Sequence, residues 1–252
     1  ELAKKMIESA ADCGADICKF QTWSEKKLKP GSWDEDGRRE IYKKAELSKE
    51  EHIFLKKYCE EKGVQFLTSV FNLYDLQFLS TLEMDMIKIP SHEVYNIELI
   101  QSAAKIFETV LVSTGASKWE EVINITKEIT LNKLVLMHCV STYPCLPENI
   151  NFPRLQALKQ LNTEVGYSGH YMGIDDAIAA ICYGIPFIEK HFTIDQDLPG
   201  RDNKFAILPK EMKLLSDFRD NLEKMSVDLG LDLQECEMDT FNNYRGRWSM
   251  ND

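Results

Sequence analysis

The sequence predicts an α/β fold and, within that class, a (β/α)8 TIM barrel whose first strand is missing from the chain as given. Two observations carry this prediction. Seven short apolar runs alternate with helix-like segments along the 252 residues, an order that builds a parallel sheet covered on both faces. Each apolar run also breaks into polar residues at its carboxyl end, which is where parallel α/β folds place their chemistry.

The first 48 residues contain one helix, one strand and a long polar segment. Residues 1–14 have the apolar spacing of an amphipathic helix that stops at Gly14, and residues 15–23 form an apolar strand. Residues 24–48 are polar and charged, and we expect a long loop with one short helix. A loop of this length inside a compact domain is more often functional than idle.

A helix is predicted to start at Ser48 because Glu51, three residues later, completes a capping box. This helix ends near Gly63. His52 lies on it among charged residues, and we expect its side chain to be solvated.

The same alternation of strand and helix continues to residue 228. Strands are predicted over 64–70, 85–89, 109–113 and 133–140, over a run that ends in 166–170, and over 185–188, which ends in 189–193. Helices begin near 73, 96, 117, 152 and 209, and a helix-like run joins the last two strands. The chain opens with a helix whereas a barrel of this kind opens with a strand, so either one strand lies upstream of Glu1 or the sheet is open, and we expect the first. We assign 1–228 to the barrel and 229–252 to a C-terminal arm or linker.

Composition excludes several classes of partner. The chain has 30 basic and 41 acidic residues and a net charge of −11, which argues against a general nucleic-acid binder or anionic-membrane binder. No apolar run approaches the ~20 residues of a membrane helix, and the first residues do not form a signal peptide. Seven scattered cysteines without a regular framework indicate reduced thiols. We therefore expect a cytoplasmic protein that acts on small molecules.

Two neighbouring strands near the end of the chain each finish with a histidine, His170 and His191. Because side chains alternate along a strand, Glu189 shares a face with His191, Ser168 shares one with His170, and Lys190 points the other way. Two imidazoles with open positions suit Mn, Fe, Co or Mg better than structural zinc. We expect the two rings within about 6 Å of each other, since ligand bonds are ~2 Å long. The alternative is a pair of hydrogen-bonded core histidines.

Two lysines, Lys19 and Lys88, lie inside apolar strands, where a solvated ammonium group is not expected. A buried ammonium needs an anionic partner. One interpretation is a cradle for phosphate or carboxylate, with the hydroxyl groups of Ser91 and Ser113 as further donors. The other is an internal salt bridge to Glu189 or Asp85.

The remaining candidates are weaker. His138 lies within a strand and is a minor candidate for a ligand, as is His92, and Cys139 is interpreted as a small buried filler. Gly115, Gly166 and Gly169 are expected at strand ends, where they fit tight turns at close backbone approach. The sequence has no Walker loop, no GxGxxG after a strand and no GxSxG elbow, so nucleotide binding by those routes and serine hydrolysis are unsupported.

Several stretches, in order, give the chain a resemblance to a known family. Over residues 1–228 the chain resembles the sialic acid synthase family, enzymes that condense phosphoenolpyruvate with an N-acyl amino sugar, including N-acetylneuraminate, legionaminate, pseudaminate and spore-coat sugar synthases. The matching stretches are AADCGADICKFQTW, GVQFLTSVFN, MDMIKIPSHEVYN, VLVSTGAS, LMHCVSTYPC, VGYSGH and FIEKHFTIDQDLPGRD.

The resemblance implies roles for individual residues. His170 and His191 match metal-binding histidines, and the implied cofactor is a divalent metal, Mn in the first place, with Mg or Co as alternatives. Catalytic roles around the metal and the sugar fall to Gln21, Glu189 and Asp202. The predicted phosphoenolpyruvate-binding residues are Lys19, Ser69, Lys88, Ser91, Ser113, Ser141, Tyr143 and Ser168.

The chain as given departs from the family pattern in three ways. It lacks the strand with the family's first Glu and Asn-His motif, and it lacks the C-terminal antifreeze-like domain that caps the partner subunit's site. Because that domain caps the site of a partner subunit in the family, the resemblance is compatible with a homodimer. Where many members have PGxDH, residue 203 is Asn. The alternative function is a non-catalytic barrel that binds a ligand or a partner protein in polysaccharide biosynthesis.

Overall fold

The computed structural model describes residues 1–32, 34–130 and 133–248. Within them, seven strands form one sheet in which every pairing is parallel and the strand order is the order along the chain. The predicted parallel α/β architecture is therefore confirmed. The strands are β1 (Ile17–Thr22), β2 (Gln65–Val70), β3 (Met86–Ile89), β4 (Thr109–Ser113), β5 (Leu134–Cys139), β6 (Glu164–Gly169) and β7 (Phe187–Lys190).

Helices connect the strands, as sequential parallel strands require. One of them, α2, lies in the segment 24–48, where a short helix was expected. The helices are α1 (Leu2–Asp12), α2 (Arg38–Ala45), α3 (Lys49–Glu61), α4 (Leu73–Leu79), α5 (Ile97–Ile106), α6 (Trp119–Glu128), α7 (Phe152–Lys159), α8 (Asp175–Cys182), α9 (Pro209–Met225) and α10 (Met238–Asn243).

The sheet is curled, so side chains from its first and last strands meet. Lys19 on β1 lies 3.8 Å from Glu189 on β7, although these strands are the two edges of the sheet. The two faces bury separate apolar sets, as side-chain alternation along strands dictates. A small cluster of Leu111, Val135 and Met137 fills the concave face, and a larger cluster packs the convex face against the helices.

The chain divides into two compact units, Glu1–Asp217 and a second unit from Phe218 onward. All residues of the predicted site belong to the first unit. Within the described ranges, no helix has both the length and the apolar character needed to cross a membrane.

His52 contradicts its sequence prediction, because its side chain is buried and only 1% exposed. Its Nδ1 lies 2.8 Å from the Ser48 carbonyl oxygen and its Nε2 lies 2.7 Å from Thr22 Oγ1. A carbonyl can only accept, so Nδ1 carries the proton and Nε2 accepts from the Thr22 hydroxyl. The prediction failed because charged neighbours in the sequence lie on the other faces of α3. The His52 side chain instead links the start of α3 to the end of β1 through these two hydrogen bonds.

Replacing His52 with Leu should lower the free energy of unfolding by about 1–3 kcal/mol, because the buried hydroxyl of Thr22 and the carbonyl of Ser48 each lose a partner. Urea unfolding followed by circular dichroism measures this loss. Lys57→Ala, an exposed substitution on the same helix, is the control and should leave the unfolding curve close to wild type. A His52→Leu protein as stable as wild type would contradict the assigned bonds.

Candidate active site

The Glu189 carboxylate is the centre of a charged cluster on the concave face of the sheet. Lys88 Nζ lies 2.8 Å from one carboxylate oxygen of Glu189, and Lys19 Nζ lies 3.8 Å from the other. The Ser168 hydroxyl donates a hydrogen bond to Glu189 at 3.0 Å. The cluster therefore joins β1, β3, β6 and β7. The salt bridge that the sequence offered as the structural alternative for Lys88 is present, with the Lys88 side chain only 3% exposed.

The charges in this cluster determine its protonation. Burial acts to raise the pKa of Glu189, but the ammonium groups of Lys19 and Lys88 outweigh it and hold that pKa well below its ordinary value. Burial lowers the pKa of Lys19, although Glu189 acts in the opposite direction. Glu189 is therefore ionised around neutral pH, and two ammonium groups share its charge.

His170 and His191 lie together as expected, with ring centroids 5.4 Å apart. The Nδ1–H of His170 donates to the Val140 carbonyl at 2.7 Å, which leaves its Nε2 as the nitrogen available for another partner. Burial acts to lower the pKa of His170, but its contacts with Cys139 and Val140 reverse this and raise that pKa. For His191, burial and the nearby His170 both act downward and lower the pKa to about 3. His191 is therefore a neutral imidazole around neutral pH.

Two aromatic side chains enclose the histidine pair. The ring of Tyr143 lies 4.2 Å from that of His170, and the ring of Phe205 lies 5.0 Å from that of His191. Tyr143 and Phe205 also contact each other at 5.5 Å. Tyr143 is half exposed and Phe205 is buried. The two rings cover part of the histidine pair, and the His191 side chain stays 24% exposed.

Phe205 is a site residue that sequence reasoning missed. The segment after β7 turns back so that the Ile207 N–H donates to the His191 carbonyl at 2.8 Å and the Thr193 N–H donates to the Ile207 carbonyl at 3.0 Å. This return places Phe205 against His191. The available signal was the apolar triplet 205–207 inside an otherwise polar segment.

Asp202, predicted as catalytic, lies on the same returning segment. Its carboxylate is 3.4 Å from Nδ1 of His191, and its side chain is 58% exposed. Asp202 is thus at the solvent side of the histidine pair, whereas Glu189 is on the inner side.

Gln21 on β1 and Ser69 on β2 lie beside Lys19 and Lys88. They are register partners across β1 and β2, and Ser69 is in turn the register partner of Lys88 on β3. Lys19 Nζ donates to the Ser69 hydroxyl at 3.5 Å. These residues form one row of polar side chains across three strands.

The serines of the middle strands meet around Gly115. The Ser91 hydroxyl accepts a hydrogen bond from the Gly115 N–H at 3.1 Å. A side-chain carbon at Gly115 would lie 2.4 Å from Ser141 Oγ and 2.9 Å from Ser91 Oγ, so this close approach requires glycine. Ser113 is buried at the end of β4, two residues before Gly115.

The other histidines take structural positions. His138 is buried, and its Nε2–H donates to the Ile150 carbonyl at 2.7 Å, which makes it a hydrogen-bonded core histidine. The ring of His92 packs on Phe71 with centroids 5.2 Å apart. Cys139 is buried with Sγ 3.8 Å from Nδ1 of His170. The structure thus brings the rings of His170 and His191 together, whereas His138 and His92 pack elsewhere.

The side chains around His170 and His191 offer a partial set of ligands for a metal ion. In the part of the chain that the structure describes, no group of three or more His, Cys, Asp or Glu side chains is placed to hold one. The two imidazoles are nevertheless a fitting partial set, because the Val140 carbonyl fixes the tautomer of His170 in the way that second partners fix metal-binding histidines.

Comparison with known proteins agrees with this geometry. The N,N'-diacetyllegionaminic acid synthase of Legionella pneumophila is 34% identical over 240 residues, which cover 87% of this chain and 67% of the relative. The pseudaminic acid synthase of Campylobacter jejuni is 32% identical over 250 residues, 93% of this chain and 73% of the relative. The solved N-acetylneuraminic acid (sialic acid) synthetase of Leptospira borgpetersenii superposes with a TM-score of 0.85 at 29% identity, covering 98% of this chain and 87% of that one.

A family model describes nearly the whole first unit and continues slightly beyond it. The model of the NeuB family matches residues 6–229. The match includes both histidines, both lysines and every serine of the site, and it confirms the resemblance found in the sequence stretches. The chain therefore belongs to the NeuB family.

Proposed function

We propose that this chain is a metal-dependent synthase that condenses phosphoenolpyruvate with an N-acyl amino sugar to form a sialic-acid-type nonulosonate and inorganic phosphate. One observation carries the proposal. The ammonium groups of buried Lys88 and partly buried Lys19 lie on one side of Glu189, and the imidazoles of His170 and His191 lie on the other. All of them are on the concave face at the carboxyl ends of the strands. Membership of the NeuB family and the synthase activities named for the relatives support it.

The lysine side of the site suits a small molecule that carries both phosphate and carboxylate. The protein as a whole has a net charge of −11, so any attraction for such an anion has to be local. Lys19 and Lys88 supply two positive charges, Ser69 and Ser168 supply hydroxyl groups beside them, and Ser91 supplies a further hydroxyl next to Gly115. Glu189 balances one of the two lysine charges, so the lysine cluster itself keeps one for an anionic substrate.

The histidine side suits a divalent metal ion, with Mn first and Mg or Co as alternatives. His170 and His191 would hold it through their ring nitrogens. A divalent ion in this position supplies a Lewis acid toward a sugar aldehyde oxygen. Tyr143 and Phe205 pack their rings against the histidine pair.

The chemistry divides between positioning and proton transfer. The lysines hold phosphoenolpyruvate so that its C3 faces the aldehyde carbon, and this fixed approach supplies a large share of the rate enhancement. A C–C bond forms between these carbons, and the former aldehyde oxygen becomes a hydroxyl. Water then adds at C2, and the C2–O bond breaks to release phosphate. Asp202 is placed to move protons, because it contacts His191 and faces solvent, while Glu189 is occupied by Lys88, Lys19 and Ser168.

We infer further that the curled sheet belongs to a (β/α)8 barrel. One additional parallel strand paired with both β1 and β7 would complete the ring of eight. The contact between Lys19 and Glu189 across the two edge strands supports this closure.

The activity is tested by mixing the protein with phosphoenolpyruvate, Mn²⁺ and a panel of N-acyl amino sugars that includes N-acetylmannosamine. We expect phosphate release that depends on all three additions. With ¹⁸O in the bridging oxygen of phosphoenolpyruvate, the label should appear in phosphate, because the C2–O bond is the bond that breaks. A protein that binds metal and phosphoenolpyruvate but releases no phosphate with any sugar would overturn the synthase proposal in favour of a binding protein.

Lys88→Met should raise the Kd for phosphoenolpyruvate at least about 30-fold, since losing a buried charged partner of an anion costs about 2–5 kcal/mol. Glu189→Gln is the matched control, because it breaks the same salt bridge from the other side. That variant should bind phosphoenolpyruvate as tightly as wild type or more tightly, since the competing anion is gone. Isothermal titration calorimetry measures both. Equal weakening in the two variants would show that the salt bridge matters only for structure.

Replacing His170 or His191 with Ala should abolish Mn²⁺ binding in the low-micromolar to millimolar range, as followed by electron paramagnetic resonance titration. Each substitution removes one of two imidazole ligands. His92→Ala should bind Mn²⁺ as the wild type does, because His92 packs on Phe71 away from the pair. Retained Mn²⁺ binding in the double variant His170→Ala/His191→Ala would exclude this site.

A further inference from the structure

A second ion pair lies directly behind the histidine pair, on the convex face of the sheet. Lys190 Nζ contacts both carboxylate oxygens of Asp176 at 3.0 and 2.9 Å and also donates to the Tyr171 carbonyl at 2.7 Å. The side chains are 4% and 0% exposed. This buried pair touches none of the groups in the proposed substrate pocket, so its role is not explained by substrate binding.

Asp176 is held close to β6 by two further features. It lies in the first turn of α8 and accepts a hydrogen bond from the Tyr167 hydroxyl at 2.9 Å. A side-chain carbon at Gly169 would lie 2.2 Å from Asp176 Oδ2, so glycine at 169 is what allows the carboxylate to approach the strand. The carboxylate therefore rests against the backbone immediately before His170.

The histidines lie just past the end of the β6–β7 ladder. The last register pair of these two strands is Gly169 with Lys190, and His170 and His191 each follow by one residue. Regular sheet hydrogen bonds therefore do not set the distance between the two rings. The bond from Lys190 to the Tyr171 carbonyl does span this gap, because Lys190 precedes His191 and Tyr171 follows His170.

We propose that Lys190 and Asp176 are positioning residues that hold His170 and His191 at the spacing a single metal ion requires. Asp176 orients the ammonium group, and the ammonium group ties the strand end that carries His191 to the backbone that carries His170. A buried ion pair adds little stability relative to an apolar pair, whereas its directed bonds fix the atoms they join. The inference rests on the proposed function, because it assigns the metal site its geometry.

The test compares the wild type with Lys190→Met, Asp176→Asn and the double variant Lys190→Met/Asp176→Asn. The single variants each leave one buried charge unpaired and should unfold at lower urea concentration. The double variant has no buried charge at this position and should recover most of the lost stability. Its Mn²⁺ affinity should nevertheless stay at least tenfold weaker than that of the wild type, because the Tyr171 carbonyl has lost its donor.

Tyr167→Phe is the matched control. It removes a hydrogen bond to the same carboxylate but leaves the link from Lys190 to Tyr171 in place, so Mn²⁺ affinity should stay within about threefold of wild type while stability falls. If Tyr167→Phe weakens Mn²⁺ binding as much as the double variant does, the ion pair is merely structural and the inference is overturned. A double variant that binds Mn²⁺ like the wild type also overturns it.

Crystal structures of the wild type and the double variant separate this inference from the proposed function. We expect the centroids of the His170 and His191 rings to move apart from 5.4 Å in the double variant. An unchanged separation overturns the positioning role whatever the metal affinity. Failure of the wild type to bind Mn²⁺ while the rings separate in the variant would instead count against the metal-dependent synthase.

Discussion

The architecture of the site depends on one carboxylate, that of Glu189, placed where the two edges of a curled sheet face each other. It contacts Lys88, Lys19 and Ser168, which come from three other strands. A buried ammonium group such as that of Lys88 is costly without an anionic partner. The contact therefore stabilises the fold by giving the buried Lys88 an anionic partner, and it holds both lysines at the place proposed for the anionic substrate.

Strand β7 and the residue that follows it place functional groups on both faces of the sheet within three consecutive residues. Glu189 points to the concave face with the lysines, Lys190 points to the convex face with Asp176, and His191 returns to the concave face beside His170. Each of these contacts satisfies a charge or a ring that the alternation of side chains would otherwise leave buried alone. A shift of β7 by one residue would exchange the two charged partners, so the opposite charges on the two faces fix the register of this strand.

The sequence allowed the parallel sheet and the meeting of His170 with His191 to be predicted, because both follow from periodicity along single strands. Contacts between segments that are distant along the chain could not be predicted from these patterns. Phe205 reaches the histidines only because residues 193 and 207 pair backbone groups after a loop. His52 is buried only because β1 presents Thr22 to α3. Lys88 left two interpretations open, and the salt bridge is now observed while the substrate role stays a proposal.

The segment between β7 and α9 shows how a departure from the family pattern is accommodated. Asn203 stands where the family pattern PGxDH has histidine, and its side-chain amide donates to the Pro199 carbonyl at 2.9 Å and the Leu198 carbonyl at 3.3 Å. An amide does not act as an acid or a base near neutral pH. The Asn203 side chain instead joins the two ends of the loop through these hydrogen bonds. The loop then presents Asp202 to His191 and leads into the buried Phe205. Asn203 therefore holds the backbone that carries Asp202, the residue proposed above for proton transfer on the solvent side of the site.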